Sequence, residues 1–124
     1  DTVNAMRSLI KVTKDLPTSQ GSSVPNTSPP KVMIVSPPNC LPLSSVTGEG
    51  FPELDELTWW LPKLAKLYSK LAIEQNTYFV DAAKFCEPDP VDGLHLDVEN
   101  TRKLGVGIAK ALALQGFARL IKNR

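Results

Sequence analysis

The sequence predicts an α/β domain with a parallel sheet and helices on its faces. Two short apolar runs, Lys31–Ser36 and Thr77–Ala83, are rich in β-branched or aromatic residues, as buried strands are. Segments with apolar residues three or four positions apart lie before, between and after these runs, which is helical periodicity. The order helix, strand, helix, strand, helix therefore indicates this class, because parallel strands need a long connection such as a helix.

Length and charge exclude several classes of protein. The 124 residues fit one domain, and 14 basic against 13 acidic residues leave a net charge of +1. So balanced a charge is not typical of a protein that binds nucleic acid or an anionic membrane. No apolar run reaches the ~18–20 residues of a membrane helix. We therefore expect no nucleic-acid partner and no membrane span.

The two cysteines, Cys40 and Cys86, bear on the cellular compartment. They are far apart in the sequence and match neither a zinc spacing nor a disulfide framework. Two reduced thiols are typical of a cytosolic protein, so a cytoplasmic location is expected. No signal peptide is visible, but the chain starts at Asp1 instead of methionine, which leaves room for an upstream targeting segment.

The first helix is predicted at Asp1–Lys14. Val3, Met6 and Ile10 are three and four positions apart, and Asp1 can cap the amino end. No strand precedes this helix, which suggests that amino-terminal strands of the domain are absent from this chain. Two strands alone do not make a stable parallel sheet. We expect the others to come from a larger domain, from a homo-oligomer or from a complementing chain.

Two stretches are predicted to be irregular loops. Asp15–Pro30 contains four prolines and four serines and keeps no periodicity, so it is interpreted as a surface loop. Asn39–Thr58 follows the carboxyl end of the first strand, where open α/β sheets place their ligands. Its apolar residues, Phe51 among them, either face a substrate or seal the edge of the core, and the sequence leaves both open.

Two further helices complete the pattern. The second is predicted at Pro62–Gln75, because proline is tolerated in a first turn. The aromatic pair Trp59–Trp60 at its entry either lines a pocket or packs one ring into the core. Asp97 can cap the last helix, which is predicted to end near Leu114, with Gly116 behind it as a stop signal.

The loop before the last helix carries a candidate proton-transfer pair. His95 is the only histidine, and Asp92 precedes it by three residues, with Gly93 between them to permit a tight turn. An imidazole can take and return a proton at neutral pH, and a carboxylate on its Nδ1–H fixes the tautomer. Asp89 and Asp97 are alternative partners for the imidazole.

The spacing alone also allows other interpretations. With Asp97 and Glu99 nearby, the cluster could hold a metal, but catalytic zinc usually takes more nitrogen or sulfur ligands, so no metal site is expected. A histidine that merely hydrogen-bonds within a loop fits the spacing equally well. Ser36 lies near a strand end but within a buried strand and not on a strained turn, which makes it a poor nucleophile.

Several segments together resemble the SGNH, or GDSL-type, hydrolases. Val91–Leu96 followed by Asn100–Val106 is similar to the last conserved block of their arylesterase and acyltransferase branch. Lys31–Pro38 is similar to the fourth sheet strand of that branch, and Phe79–Ala83 to its fifth. The segments stand in the family's order and span residues 31–114 approximately, so they are more specific than the Asp–His spacing alone.

The resemblance implies a three-layer αβα, flavodoxin-like domain of which residues 1–124 are the carboxyl-terminal portion. It also implies a Ser-His-Asp esterase that acts on small-molecule esters, with acyl transfer to alcohols as a further outcome and without a cofactor. His95 is then the general base and Asp92 its orienting partner. Leu94 is expected to bind substrate, as is Val3 if Asp1 ends the family's Gly-x-Asn-Asp block.

The family's remaining catalytic blocks are not in this sequence. The nucleophilic serine belongs to a Gly-Asp-Ser block, and the oxyanion hole uses that serine's N–H, a glycine N–H and the asparagine of the Gly-x-Asn-Asp block. The isolated chain is therefore expected to be inactive, and the whole protein to be a serine esterase. The alternative is a non-catalytic partner or degenerate half-domain that docks onto the missing strands.

Overall fold

The structure, a computed structural model, describes residues 1–16 and 30–122, with side chains as far as residue 116. Three helices and two strands alternate in the predicted order. They are α1 (Thr2–Asp15), β1 (Met33–Ser36), α2 (Leu54–Glu74), β2 (Tyr78–Asp81) and α3 (Val98–Lys122). Among the described residues, no helix combines the length and the apolar composition that crossing a membrane requires.

The two strands lie between two layers of helix. They pair in parallel, with Ile34 opposite Phe79 and Val35 opposite Val80. Because side chains alternate across a sheet, Ile34 and Phe79 share the face that packs against α1 and α2, and the two valines share the other. Helix α3 contacts β2, so Val80 is 3% exposed whereas Val35 is 37% exposed. The predicted α/β class with helices on both faces of a parallel sheet is confirmed.

The larger apolar cluster joins α1 and α2 to the sheet. Its buried members are Ile10, Ile34, Leu64, Tyr68, Leu71 and Ala72. Polar contacts fix the crossing of the two helices, since Lys14 donates to the carbonyl of Gln75 and Arg7 pairs with Glu74 at 3.3 Å. A cation at the carboxyl end of α2 is also favoured by the helix dipole.

One side chain closes the outer edge of β2. Gln115 on α3 accepts a hydrogen bond from the N–H of Phe79 at 2.9 Å and donates to its carbonyl at 2.8 Å. Both backbone groups are thereby satisfied without a further strand. Within the part of the chain that the structure describes, the sheet consists of β1 and β2, so the far edge of β1 has no strand beside it.

The predicted start of the second helix is wrong. Helix α2 begins at Leu54, so the irregular stretch does not extend to Thr58, and Pro62 lies inside the helix. Proline removes one hydrogen bond from a helix interior. However, Leu54 and Leu61 are only 0% and 9% exposed, and burial of such side chains contributes about 1.5–3 kcal/mol each. Burial of the apolar face therefore offsets the hydrogen bond lost at Pro62, and the helix continues on both sides of the proline.

Two other predicted boundaries also differ. Helix α3 continues past Leu114 and through Gly116, because a glycine weakens a helix by only about 1 kcal/mol and need not end it. Strand β2 ends at Asp81, whose carboxylate accepts the N–H of Ala83 at 3.1 Å and starts a short 3₁₀ turn. Of the predicted loop Asp15–Pro30, residues 17–29 lie outside the described residues.

Two glycines of α3 give a matched test of how closely this helix packs. A Cβ on Gly107 would lie 2.3 Å from Cγ of Phe85, whereas a Cβ on Gly105 would meet no atom within 4 Å beyond its chain neighbours and the backbone of its own helix. Gly107→Ala should therefore lower the free energy of unfolding by about 1–3 kcal/mol. Gly105→Ala should raise it by up to about 1 kcal/mol through helix propensity. Urea denaturation measures both, and equal effects would contradict the Phe85 contact.

Candidate active site

The candidate pair lies on a compact turn between β2 and α3. The N–H of Asp89 donates to the carbonyl of His95 at 2.7 Å, and the N–H of Gly93 donates to the carbonyl of Asp89 at 2.8 Å. The Asp89 carboxylate accepts the N–H of Val91 at 2.9 Å. These bonds lie within seven residues of sequence, so the turn is specified locally.

Gly93 is required by the geometry of this turn. Its φ is +73°, a conformation that residues with a Cβ rarely adopt. A Cβ at this position would also lie 2.7 Å from Cγ2 of Val46 and 3.3 Å from Cβ of Leu41. The glycine therefore permits both the reversal of the chain and the close approach of the loop that follows β1.

Asp92 and His95 are in direct contact. Oδ2 of Asp92 lies 2.6 Å from Nδ1 of His95, and Oδ1 accepts the N–H of Leu94 at 2.9 Å and that of His95 at 3.0 Å. The Leu94 N–H, then the His95 side chain and N–H, lower the pKa of Asp92 from 3.8 to about 2. A carboxylate ionised at neutral pH can only accept, so the shared proton lies on Nδ1 and Nε2 is left to accept another.

The imidazole is open to solvent on its other side. The His95 side chain is 71% exposed. Phe51 lies beside it, with ring centroids 6.2 Å apart and ring planes at 67°, an edge contact. Sequence reasoning placed Phe51 among residues that either face a substrate or seal the core edge, and gave no signal for its contact with a residue so distant in the chain.

The loop that follows β1 is fixed against the turn. Backbone hydrogen bonds of 2.8–2.9 Å run from the N–H groups of Leu41, Thr47 and Gly48 to the carbonyls of Gly93, Pro90 and Val91. The sequence left open whether this stretch is a lid or pocket wall or a seal over the core. These bonds hold the stretch in place beside the turn that carries His95, and its part as a pocket wall stays a prediction.

The other acidic residues of the loop are engaged elsewhere. Asp97 caps α3 through the N–H of Asn100 at 2.7 Å, and Glu99 pairs with Arg102 at 2.7 Å. The Asp89 carboxylate accepts a hydrogen bond from the N–H of Val91 within the turn. Of the predicted partners, Asp92 is the carboxylate that contacts the imidazole. Within residues 1–16 and 30–116, no group of three His, Cys, Asp or Glu side chains could hold a metal ion.

The remaining predicted residues occupy different places. Leu94 packs against a second apolar cluster, formed by Cys40, Leu54 and Leu61. Val3 packs against the larger cluster between α1, α2 and the sheet, so the structure does not bring it to Leu94, and its part in substrate binding stays a prediction. Ser36 is fully buried and donates to Asp81 at 3.2 Å, away from solvent.

The two cysteines are free thiols in the structure. Both are buried, and each donates to a backbone carbonyl, Cys40 to Leu54 at 3.5 Å and Cys86 to Ala82 at 3.3 Å. Burial raises the pKa of both thiols above 9.0, which disfavours the nucleophilic thiolate. The cysteines are therefore structural residues of the core.

Solved esterase structures resemble this chain over almost its whole length. A candidate arylesterase from Agrobacterium tumefaciens strain C58 matches with a TM-score of 0.64 and 31% identity, over 92% of this chain and 50% of that one. The M. smegmatis aryl esterase matches with a TM-score of 0.67 and 28% identity, over 92% and 50%. Est24, a carbohydrate acetylesterase from Sinorhizobium meliloti, matches with a TM-score of 0.70 and 26% identity, over 91% and 50%.

This chain thus spans about half the length of the solved structures it matches. No protein-family model and no curated protein sequence matches it significantly. The likeness in fold and sequence confirms the resemblance to SGNH hydrolases of the arylesterase branch that the sequence segments indicate, restricted to one part of their domain. The three-layer α/β fold predicted from that resemblance is confirmed with it.

The titration of Asp92 tests the hydrogen bonding at the pair. The carboxyl ¹³C shift of Asp92 should titrate with a midpoint of about 2 in place of the ordinary 3.8. His95→Ala removes the side-chain bond but leaves both backbone bonds. The midpoint should therefore rise and still stay below 3.8. A wild-type midpoint at the ordinary value would contradict the geometry.

The lowered pKa of Asp92 also makes the free energy of unfolding depend on pH. The pKa of Asp92 is lower in the folded state, so the ionised carboxylate stabilises the fold above the unfolded pKa of about 4. That contribution is lost as pH falls through the folded pKa of about 2. The stability difference between wild type and Asp92→Asn should shrink across this window. A difference that does not change with pH would exclude this linkage.

Proposed function

From its SGNH-type fold and its likeness to esterases, we propose that this chain supplies the histidine and aspartate of a Ser-His-Asp triad in an ester hydrolase. The observation that carries the proposal is the 2.6 Å contact between Oδ2 of Asp92 and Nδ1 of His95, on an exposed turn that follows a sheet strand. The serine is proposed to come from a part of the protein outside these residues, because this sequence contains no Gly-Asp-Ser block. Ser36, the serine near a strand end, is fully buried.

His95 acts first as general base and then as general acid. Its Nε2 takes the proton of the serine hydroxyl as the oxygen attacks the ester carbonyl, and Asp92 stabilises the imidazolium. The imidazolium then gives that proton to the departing alcohol, which leaves an acyl-serine. Water attacks the acyl-serine with His95 again as base, and the acid and free serine are released. An alcohol in place of water gives acyl transfer.

The residues around the imidazole and the names of the solved relatives support a proposal for the substrate class. Phe51 places an aromatic ring beside His95, and Leu94, next to His95 in the chain, is partly buried against the cluster of Cys40, Leu54 and Leu61. The solved relatives are named for aryl esters and for carbohydrate acetates. We therefore propose a small-molecule ester with a short acyl chain as substrate, with Val3 as a further substrate-binding residue of the complete protein.

A second function, of a different class, is favoured by the open edge of the sheet. Gln115 closes the edge of β2, whereas in the described residues β1 has no neighbour on its far side. A non-catalytic half-domain could use this edge to dock onto a complementary chain. The sequence encoded upstream of Asp1 discriminates the two functions, since Gly-Asp-Ser and Gly-x-Asn-Asp blocks there favour the esterase and their absence favours the docking module.

The isolated 124-residue chain should not hydrolyse p-nitrophenyl acetate. Without a nucleophile and an oxyanion hole, the general base has no hydroxyl to activate. The rate should therefore equal that of its own His95→Ala variant, measured by release of p-nitrophenol. Hydrolysis by the purified chain that disappears in the variant would contradict the assignment of the serine to another part of the protein.

The protein expressed from its complete reading frame provides the positive test. His95→Ala should lower kcat/KM for p-nitrophenyl acetate by about 10³-fold or more, and Asp92→Asn by about 10²- to 10⁴-fold, through the wrong imidazole tautomer. Glu99→Gln is the matched control, because this carboxylate belongs to the same segment but pairs with Arg102 at 2.7 Å. Equal losses in all three variants would indicate a structural effect and refute the triad.

A further inference from the structure

Hydrogen bonding alone does not fix the plane of the His95 ring. Asp92 holds one atom of it, Nδ1, at 2.6 Å. The side chain is nevertheless 71% exposed, so the core does not confine it. A single hydrogen bond at one corner allows the ring to tilt, and each tilt redirects Nε2, the atom that has to meet the serine hydroxyl. A second contact is needed to select one orientation.

Phe51 is placed to make that second contact. Its ring meets the imidazole edge-on, with centroids 6.2 Å apart and planes at 67°, within the range that aromatic pairs favour. Phe51 is 42% exposed, so filling the core does not account for its position. Its ring lies at the surface beside the one histidine of the chain.

The backbone on both sides of Phe51 is held firmly. Its carbonyl accepts the N–H of Leu54 at 3.1 Å, which ties it to the start of α2. On the other side, a Cβ on Gly50 would lie 2.6 Å from Cδ1 of Leu43, so the chain is closely packed there. The preceding loop is bonded to the turn that carries His95, through Thr47 and Gly48. Phe51 and His95 are therefore parts of one fixed unit.

We infer that Phe51 is a positioning residue for His95. Its ring limits the tilt of the imidazole, so that Nδ1 stays on Asp92 and Nε2 points to the open side. The consequence for catalysis rests on the proposed function, but the orientation itself is a property of this chain. An edge contact of this kind should favour the bonded orientation about two- to tenfold over the alternatives.

The single histidine makes the test direct. In the untagged, ¹⁵N-labelled chain, the imidazole signals come from His95 alone. The exchange rate of its Nδ1 proton with solvent reports how long the bond to Asp92 persists. In Phe51→Ala this rate should rise about two- to tenfold, with the backbone amide spectrum otherwise retained. Phe51→Tyr keeps the ring and should keep the wild-type rate.

Two further variants separate positioning from general loosening. Phe51→Leu keeps an apolar side chain without the ring, and it should exchange like Phe51→Ala even if the alanine variant folds poorly. Trp59 is 58% exposed, and its ring contacts Trp60 instead of His95, so Trp59→Ala should leave the rate unchanged.

The possible failures are distinguishable. A protected Nδ1 proton in the wild type that exchanges equally slowly in Phe51→Ala and Phe51→Leu would overturn the role of Phe51 and leave the triad proposal intact. An equal increase in Trp59→Ala would overturn it as well. A wild-type imidazole without a protected Nδ1 proton would overturn both the inference and the Asp92–His95 geometry on which the proposed function rests.

Discussion

The carboxylate of Asp92 is the group on which this site depends. One oxygen accepts the N–H groups of Leu94 and His95 and so folds the turn, while the other holds the imidazole. The same charge therefore builds the loop and orients the ring that the loop carries. Because these contacts are local, the pair keeps its geometry in a chain whose sheet has two strands among the described residues.

The two edges of the sheet differ in the part of the chain that the structure describes. At the outer edge of β2, Gln115 satisfies the N–H and the carbonyl of Phe79. Helix α3 contacts β2, and Val35 of β1 is 37% exposed. Among the described residues the far edge of β1 has no neighbouring strand, which agrees with a match to about half of each esterase structure.

Sequence reasoning succeeded where the determining interactions are local. The order of the elements follows from periodicity, and the Asp92–His95 contact follows from a spacing of three with Gly93 between. It failed where tertiary burial decides the outcome. Burial of Leu54 lets α2 begin eight residues before Pro62, at which the sequence predicted the start of this helix. The contact of Phe51 with His95 was not predicted either. The two residues are far apart in the sequence, and their spacing does not specify which loop residue contacts the imidazole.

Covalent labelling of a nucleophilic serine tests the proposed triad most directly. The protein from the complete reading frame is treated with a fluorophosphonate, and the adduct is located by mass spectrometry. We expect one labelled serine outside these 124 residues, with a labelling rate that falls about 10²-fold or more in His95→Ala. No adduct, an adduct on Ser36, or a rate that is unchanged in His95→Ala would contradict a triad completed by Asp92 and His95.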